Sequence, residues 1–325
     1  MRTCCAAIIT LALLAGSTVA MAGQSEAASR PSIPSAGCGV ADIEPGRHLG
    51  IMEVGDLERS WVLQLPTAHD GETPIPLVLG FYGGGDGPDW MIGRFRTLAE
   101  EEGFAVVAPK ENTEVLHWMY EPEDTEPDFT MDKPDIAFVD ALLDRLEEEL
   151  CLDQARVYAT GMSNGAWGAL ALGCALDDRI AAVAPVGALL DSGEACNQRR
   201  PVPLVAVIGT EDEIVFFDGG VAEWFLDSLA SDGTRVRDIP WFNWSGHGLP
   251  VLDKVAGVAS RYGCEPSPTT EPMDHGAERL VWGCPDGADL ELVTHGGGHV
   301  WETNTGEGAT SELVWGFLQQ HSMPA

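Results

Sequence analysis

The chain has 325 residues, 45% of them hydrophobic, and a formal net charge of −33. That length accommodates one large domain or two ordinary ones around a sizeable core. So large an excess of acid repels nucleic acid phosphates and anionic lipid surfaces at long range, which argues against either as a partner.

Residues 1–22 read as an export signal: Arg2 supplies a positive start, 4–16 is apolar or small, and Ala20-Met21-Ala22 is an A-x-A cleavage site. The apolar run is too short for a bilayer, so no membrane span is expected. Residues 23–42, rich in Ser, Ala and Pro, read as a flexible leader tied down only at Cys38, with one folded domain over 43–325. Within that domain strand-like runs fall at 61–65, 76–81, 104–108, 157–160, 180–186 and 203–208. Helix-like runs fall at 91–102 and 136–150, from Asn164, from Gly220, and at 251–262 and 310–321. The alternation predicts an α/β fold, a mainly parallel sheet with helices on both faces.

Six cysteines remain once Cys4 and Cys5 leave with the signal: Cys38, Cys151, Cys174, Cys196, Cys264 and Cys284. An even number in an exported chain suggests disulfides, and spacing alone does not choose among the 15 pairings. No Cys/His spacing argues for a metal, and the glycines at 83–87 lack a dinucleotide fingerprint, so no cofactor is expected.

In open parallel sheets ligands bind beyond the carboxyl ends of the strands, so polar residues just after a strand are the candidates. "VYATGMSNGAWGALALG" puts Ser163 between Gly161 and Gly165, after a strand and before an apolar helix. With 38 glycines in the chain, G-x-S-x-G needs that setting to mean anything. Small residues let strand and helix backbones nearly touch while the hydroxyl is held clear, as a strained nucleophile requires. A serine needs a base, and the base needs an acid to fix its tautomer. "VIGTEDEIVFF" places Glu211, Asp212 and Glu213 after a buried strand, and Asp212 is taken as the acid. "LVTHGGGHVWE" offers His295 and His299; His299, behind three glycines, is the better base. An oxyanion needs two backbone N–H groups. One is expected from Asn164 and the other from Gly84 in "YGGGDG". The acidic connection 111–134 and the aromatic stretch 241–248 are expected to shape access, or simply to anchor their own loops.

With these residues in place the chain, from about Gly37 to His321, resembles the secreted polyhydroxybutyrate depolymerase-like esterases, which overlap bacterial feruloyl and acetylxylan esterases. The resemblance rests on "SAGCG", "RVYATGMSNGA", "AAVAPVGA", "GTEDEIVFFDGG", "RYGC", "GGGHVWE" and "SELVWGFLQQH". It implies an α/β-hydrolase fold, catalytic roles for Ser163, Asp212 and His299, and a disulfide between Cys264 and Cys284. Two departures leave the substrate open: Tyr82-Gly83 stands where the family has His-Gly, and Trp301-Glu302-Thr303 where it has Trp-Pro-Gly. The expected activity is hydrolysis of a small-molecule or polymeric carboxylic ester. A serine peptidase and a binding protein on the same fold are the alternatives.

Overall fold

Strands β3 (Ile75–Phe81), β4 (Ala105–Pro109), β6 (Ala182–Val186) and β7 (Leu204–Gly209) carry no polar side chain and are buried at every position. Strands with no solvent face belong in the middle of a sheet covered on both sides. The computed structural model describes residues 32–40, 43–110, 118, 133–189, 196, 198–229, 233–238, 248–302 and 309–324, so the signal expected over 1–22 lies outside the described residues. Among the described residues no helix is long and apolar enough to cross a membrane.

The remaining strands are β1 (Gly46–Val54), β2 (Leu57–Leu65), β5 (Leu152–Met162), β8 (Thr269–Pro272), β9 (Glu278–Trp282) and β10 (Leu290–His295). Together they form a ten-stranded sheet in the order β1-β2-β4-β3-β5-β6-β7-β10-β9-β8. The stretch from β4 to β10 is parallel, and an antiparallel strand pair extends it at each side. Helices α1 (Pro88–Glu102) and α6 (Ala309–Leu318) pack on each other, as do α2 (Pro134–Glu149) and α3 (Asn164–Ala175). The last two helices are α4 (Glu223–Leu226) and α5 (Val251–Tyr262). Proline at the first position starts both α1 and α2, and the left-handed Gly103 ends α1.

The expected elements need three corrections. The helix expected from Gly220 is only the single turn of α4. The strands β1, β8 and β9 were missed: β1 alternates half-buried and exposed positions and β8 is exposed throughout, so neither carries the apolar pattern of a covered strand. The leader also docks before Ile43. Pro34 bridges Asp153, the Ser35 hydroxyl donates to Leu150 O at 2.6 Å, and Gly37 N–H donates to Glu147 O.

The six cysteines from Cys38 to Cys284 are joined, as Cys38–Cys151, Cys174–Cys196 and Cys264–Cys284. Such use of cysteine fits an oxidising compartment.

Candidate active site

Ser163 sits between the end of β5 and the start of α3 with φ 56° and ψ −119°, one of two non-glycine residues with positive φ among the described residues. Neighbouring backbone forces that turn. A Cβ at Gly161 would lie 2.2 Å from Gly165 O, and one at Gly165 would lie 2.2 Å from Phe81 O. The helix can therefore approach the strand only if both positions lack a side chain. The Ser163 N–H is tied to Val186 O at 2.9 Å, which fixes the turn to β6 as well.

The acid loop follows β7. Asp212 is buried; its Oδ1 accepts the N–H groups of Ile214 and Val215, each at 2.8 Å, which leaves Oδ2 to face His299 Nδ1 at 2.6 Å. His299 Nε2 lies 2.8 Å from Ser163 Oγ. Serine, imidazole and carboxylate thus form one continuous chain of hydrogen bonds. Of the three neighbouring acids, Asp212 makes this contact, while Glu211 is exposed.

The other two acids and the other histidine hold the loops together. Thr210 N–H donates to His295 O at 2.8 Å and Glu211 N–H to Gly297 O at 3.1 Å. The Glu213 carboxylate accepts the backbone N–H of His299 at 3.1 Å. His295 is buried, its Nδ1 accepts Gly297 N–H at 3.1 Å, and burial lowers its pKa below the ordinary imidazole value. The two histidines have separate tasks: His295 folds the turn, and His299 reaches the serine.

Asn164 is the first residue of α3, so its N–H has no acceptor within the helix. Its side-chain Oδ1 accepts Trp118 N–H at 3.0 Å. Gly83 is the glycine packed on Ser163: a Cβ there would lie 3.4 Å from Ser163 Cβ. Gly84 follows in an exposed turn that Asp86 N–H closes onto Gly83 O.

Three contributors escaped the sequence reading as site residues. Trp118 was one aromatic among several, and Glu213 one acid of three. Gly187, within "AAVAPVGA", has φ 71°, and a Cβ there would lie 3.6 Å from His299 Cε1. Of the two stretches expected to shape access, 111–134 is described only at Trp118, Lys133 and Pro134, and 241–248 only at Gly248. At the second family departure, Glu302 accepts a hydrogen bond from Arg94, whose guanidinium stacks on Trp90 at 4.4 Å. Among the described residues no group of three His, Cys, Asp or Glu is placed to hold a metal ion.

The sheet order, the strained serine turn and the chain order Ser163, Asp212, His299 define the α/β-hydrolase fold. Among solved structures the chain superposes on an acetyl xylan esterase from Aspergillus awamori with TM-score 0.56 and 14% identity, over 83% of this chain and 99% of that one. It is 25% identical to feruloyl esterase B of Piromyces equi over 82% of this chain and 46% of that protein. It is 29% identical to feruloyl esterase C of Emericella nidulans over 63% of this chain and 72% of that protein. The chain thus spans less than half the length of the first of these relatives and under three quarters of the second. No protein-family profile matches it.

Proposed function

We propose that this chain is an exported serine hydrolase that cleaves carboxylic esters through an acyl-enzyme. The observation that carries the reading is the unbroken contact from Ser163 through His299 to Asp212, at 2.8 and 2.6 Å. His299 Nε2 takes the Ser163 proton as Oγ attacks the ester carbonyl, and Asp212 Oδ2 accepts the Nδ1–H, holding the required tautomer and stabilising the imidazolium. Because Asp212 Oδ1 is occupied by two backbone N–H groups, the carboxylate does not swing away while this happens. The tetrahedral oxyanion is received by the N–H groups of Asn164 and Gly84. His299 then returns the proton to the departing alcohol, and water repeats the sequence on the acyl-enzyme to release the acid. The fold and the esterase relatives support an ester over an amide substrate, and feruloyl and acetyl esters are the substrates those relatives' names suggest. A polyhydroxyalkanoate-type ester is the other candidate, from the sequence motifs. Three disulfides support export.

The test is Ser163→Ala, assayed on p-nitrophenyl acetate, methyl ferulate and hydroxybutyrate oligomers. Activity should fall by orders of magnitude with the unfolding midpoint retained, since only the nucleophile is removed. A variant that keeps more than about a tenth of the wild-type rate would refute the mechanism, since knocking out such a serine costs far more than that.

A further inference from the structure

The sequence from 111 to 132 is strongly acidic, yet its one described residue, Trp118, is completely shielded from solvent. Its ring meets Phe81 edge-on at 4.9 Å and Tyr82 at 5.3 Å. Its Cβ packs against α3, within 3.2 Å of where a Cβ on Gly168 would be. Trp118 is therefore wedged between the end of β3 and the first turns of α3. Its two N–H donors are committed to the same two segments: the backbone N–H donates to Asn164 Oδ1 and the indole Nε1–H to Tyr82 O, both at 3.0 Å.

We propose that Trp118 is a positioning residue that fixes the two arms of the oxyanion site relative to each other, the Tyr82–Gly84 arm through its indole and the Asn164 arm through its backbone. This inference rests on the serine-hydrolase reading above. The peptide group is planar, so anchoring Tyr82 O fixes the direction of the Gly83 N–H and the start of the turn that carries Gly84. Gly83 in turn packs on Ser163. Both hydrogen bonds are buried, where water cannot substitute for a lost partner. Donors to an oxyanion are effective only if they are already in place when charge develops, so a residue that sets their separation acts on the rate of chemistry rather than on substrate affinity.

Trp118→Phe keeps an aromatic ring and the backbone N–H and removes the indole donor. The measurements are kcat and KM on p-nitrophenyl acetate, the rate of labelling of Ser163 by a fluorophosphonate, whose phosphoryl oxygen occupies the oxyanion position, and the thermal midpoint. Loss of one oxyanion donor costs about 100- to 1,000-fold in kcat, and displacing one should cost about 10-fold. We expect kcat and the labelling rate to fall together by about that factor while KM stays within about twofold. Asn164→Ala, which removes the acceptor of the other bond and retains the backbone N–H at 164, should give the same pattern and serves if Trp118→Phe does not fold. A purely structural tryptophan would lower the thermal midpoint and leave kcat and labelling of the folded protein unchanged in both variants, and that result overturns the proposal. If wild-type protein is not labelled at Ser163, the serine-hydrolase reading fails and the inference falls with it; if wild type is labelled and the variants label equally fast, only the inference fails.

Discussion

The turn that carries Ser163 and the loop that carries His299 reach the same point by different physics. The serine turn is held by exclusion: Gly161, Gly165 and Phe81 bring main chain against main chain so closely that no side chain fits. The histidine loop is held by tethers, namely Thr210 N–H on His295 O, Glu211 N–H on Gly297 O, the Glu213 carboxylate on His299 N–H, and His295 Nδ1 on Gly297 N–H. Backbone also comes close here, since a Cβ on Gly209 would lie 2.3 Å from Gly297 O, but the glycine next to the base differs in kind. A Cβ on Gly298 would lie 2.2 Å from Glu213 Oε2, the far end of a flexible side chain rather than backbone. A site held by exclusion has one geometry or none, whereas a tethered loop loses alignment by degrees as its ties are cut.

The largest effect should therefore come from the serine turn. In Gly161→Ala the new methyl would meet Gly165 O at 2.2 Å and Phe81 O at 2.8 Å; Phe81 O cannot retreat without disturbing the β3–β5 pairing, nor Gly165 O without shifting the first turn of α3. Overpacking on main chain should cost about 3 kcal/mol, visible as a lower urea midpoint, with ester hydrolysis lost from whatever folds. A stable, active Gly161→Ala protein would show that the serine turn is not held by exclusion.

The middle-sized effect tests the tether. In Gly298→Ala the Glu213 carboxylate must swing aside and release His299 N–H. We expect kcat/KM to drop roughly 10-fold through misalignment of the base, with the thermal midpoint within a few degrees of wild type. Glu213→Ala should reproduce the loss by cutting the same tie, and the double variant should be no worse than either single one. Strictly additive losses would mean that Gly298 and Glu213 act on His299 by separate routes.

The same contrast explains what was legible in the chain. Exclusion is written locally: two glycines flanking a serine, after one apolar run and before another, announce strand, turn and helix, and the all-apolar runs of β3, β4, β6 and β7 announce a parallel sheet. The tethers between the acid loop and the histidine loop join residues 85 to 87 positions apart, so spacing carries no trace of them, and only the His295–Gly297 tie is local. Nothing in "TEDE" distinguishes the acid that faces His299 from its neighbours except direction after the turn, and direction comes from Ile214 and Val215 donating to Asp212. Trp118 is hidden for a similar reason, since its partners lie 36 residues before it and 46 after it. The edge strands were missed because their register depends on pairing: β1 is organised around Trp61, which fills the space beside Gly50 across the hairpin.

The smallest effect concerns the tether made by His295. Its Nδ1 accepts a hydrogen bond from Gly297 N–H, so it must be unprotonated there, and burial holds its pKa below the ordinary value although the Asp212 charge pulls the other way. In the unfolded chain the imidazole titrates near its reference value of about 6.5. Between the folded and unfolded values the unfolded chain binds more protons, so stability rises with pH in that window. The contribution of His295 is therefore fully present above about pH 6.5 and is lost as pH falls through the lowered folded value. His69, also buried with a lowered pKa, adds a term of the same sign. In His295→Asn the amide oxygen can stand in for Nδ1 and accept from Gly297, while the titrating group is gone. Urea unfolding at pH 5.5 and 7.5 should show a wild-type stability loss on acidification that the variant reduces by up to about 1 kcal/mol, leaving the share due to His69. Esterase activity at pH 7.5 should stay within about threefold of wild type, because one tie of several is replaced rather than cut. If the variant keeps the full wild-type pH dependence, His295 is not held neutral by its place in the loop. If its activity collapses, the loop behaves like the serine turn, with one geometry or none.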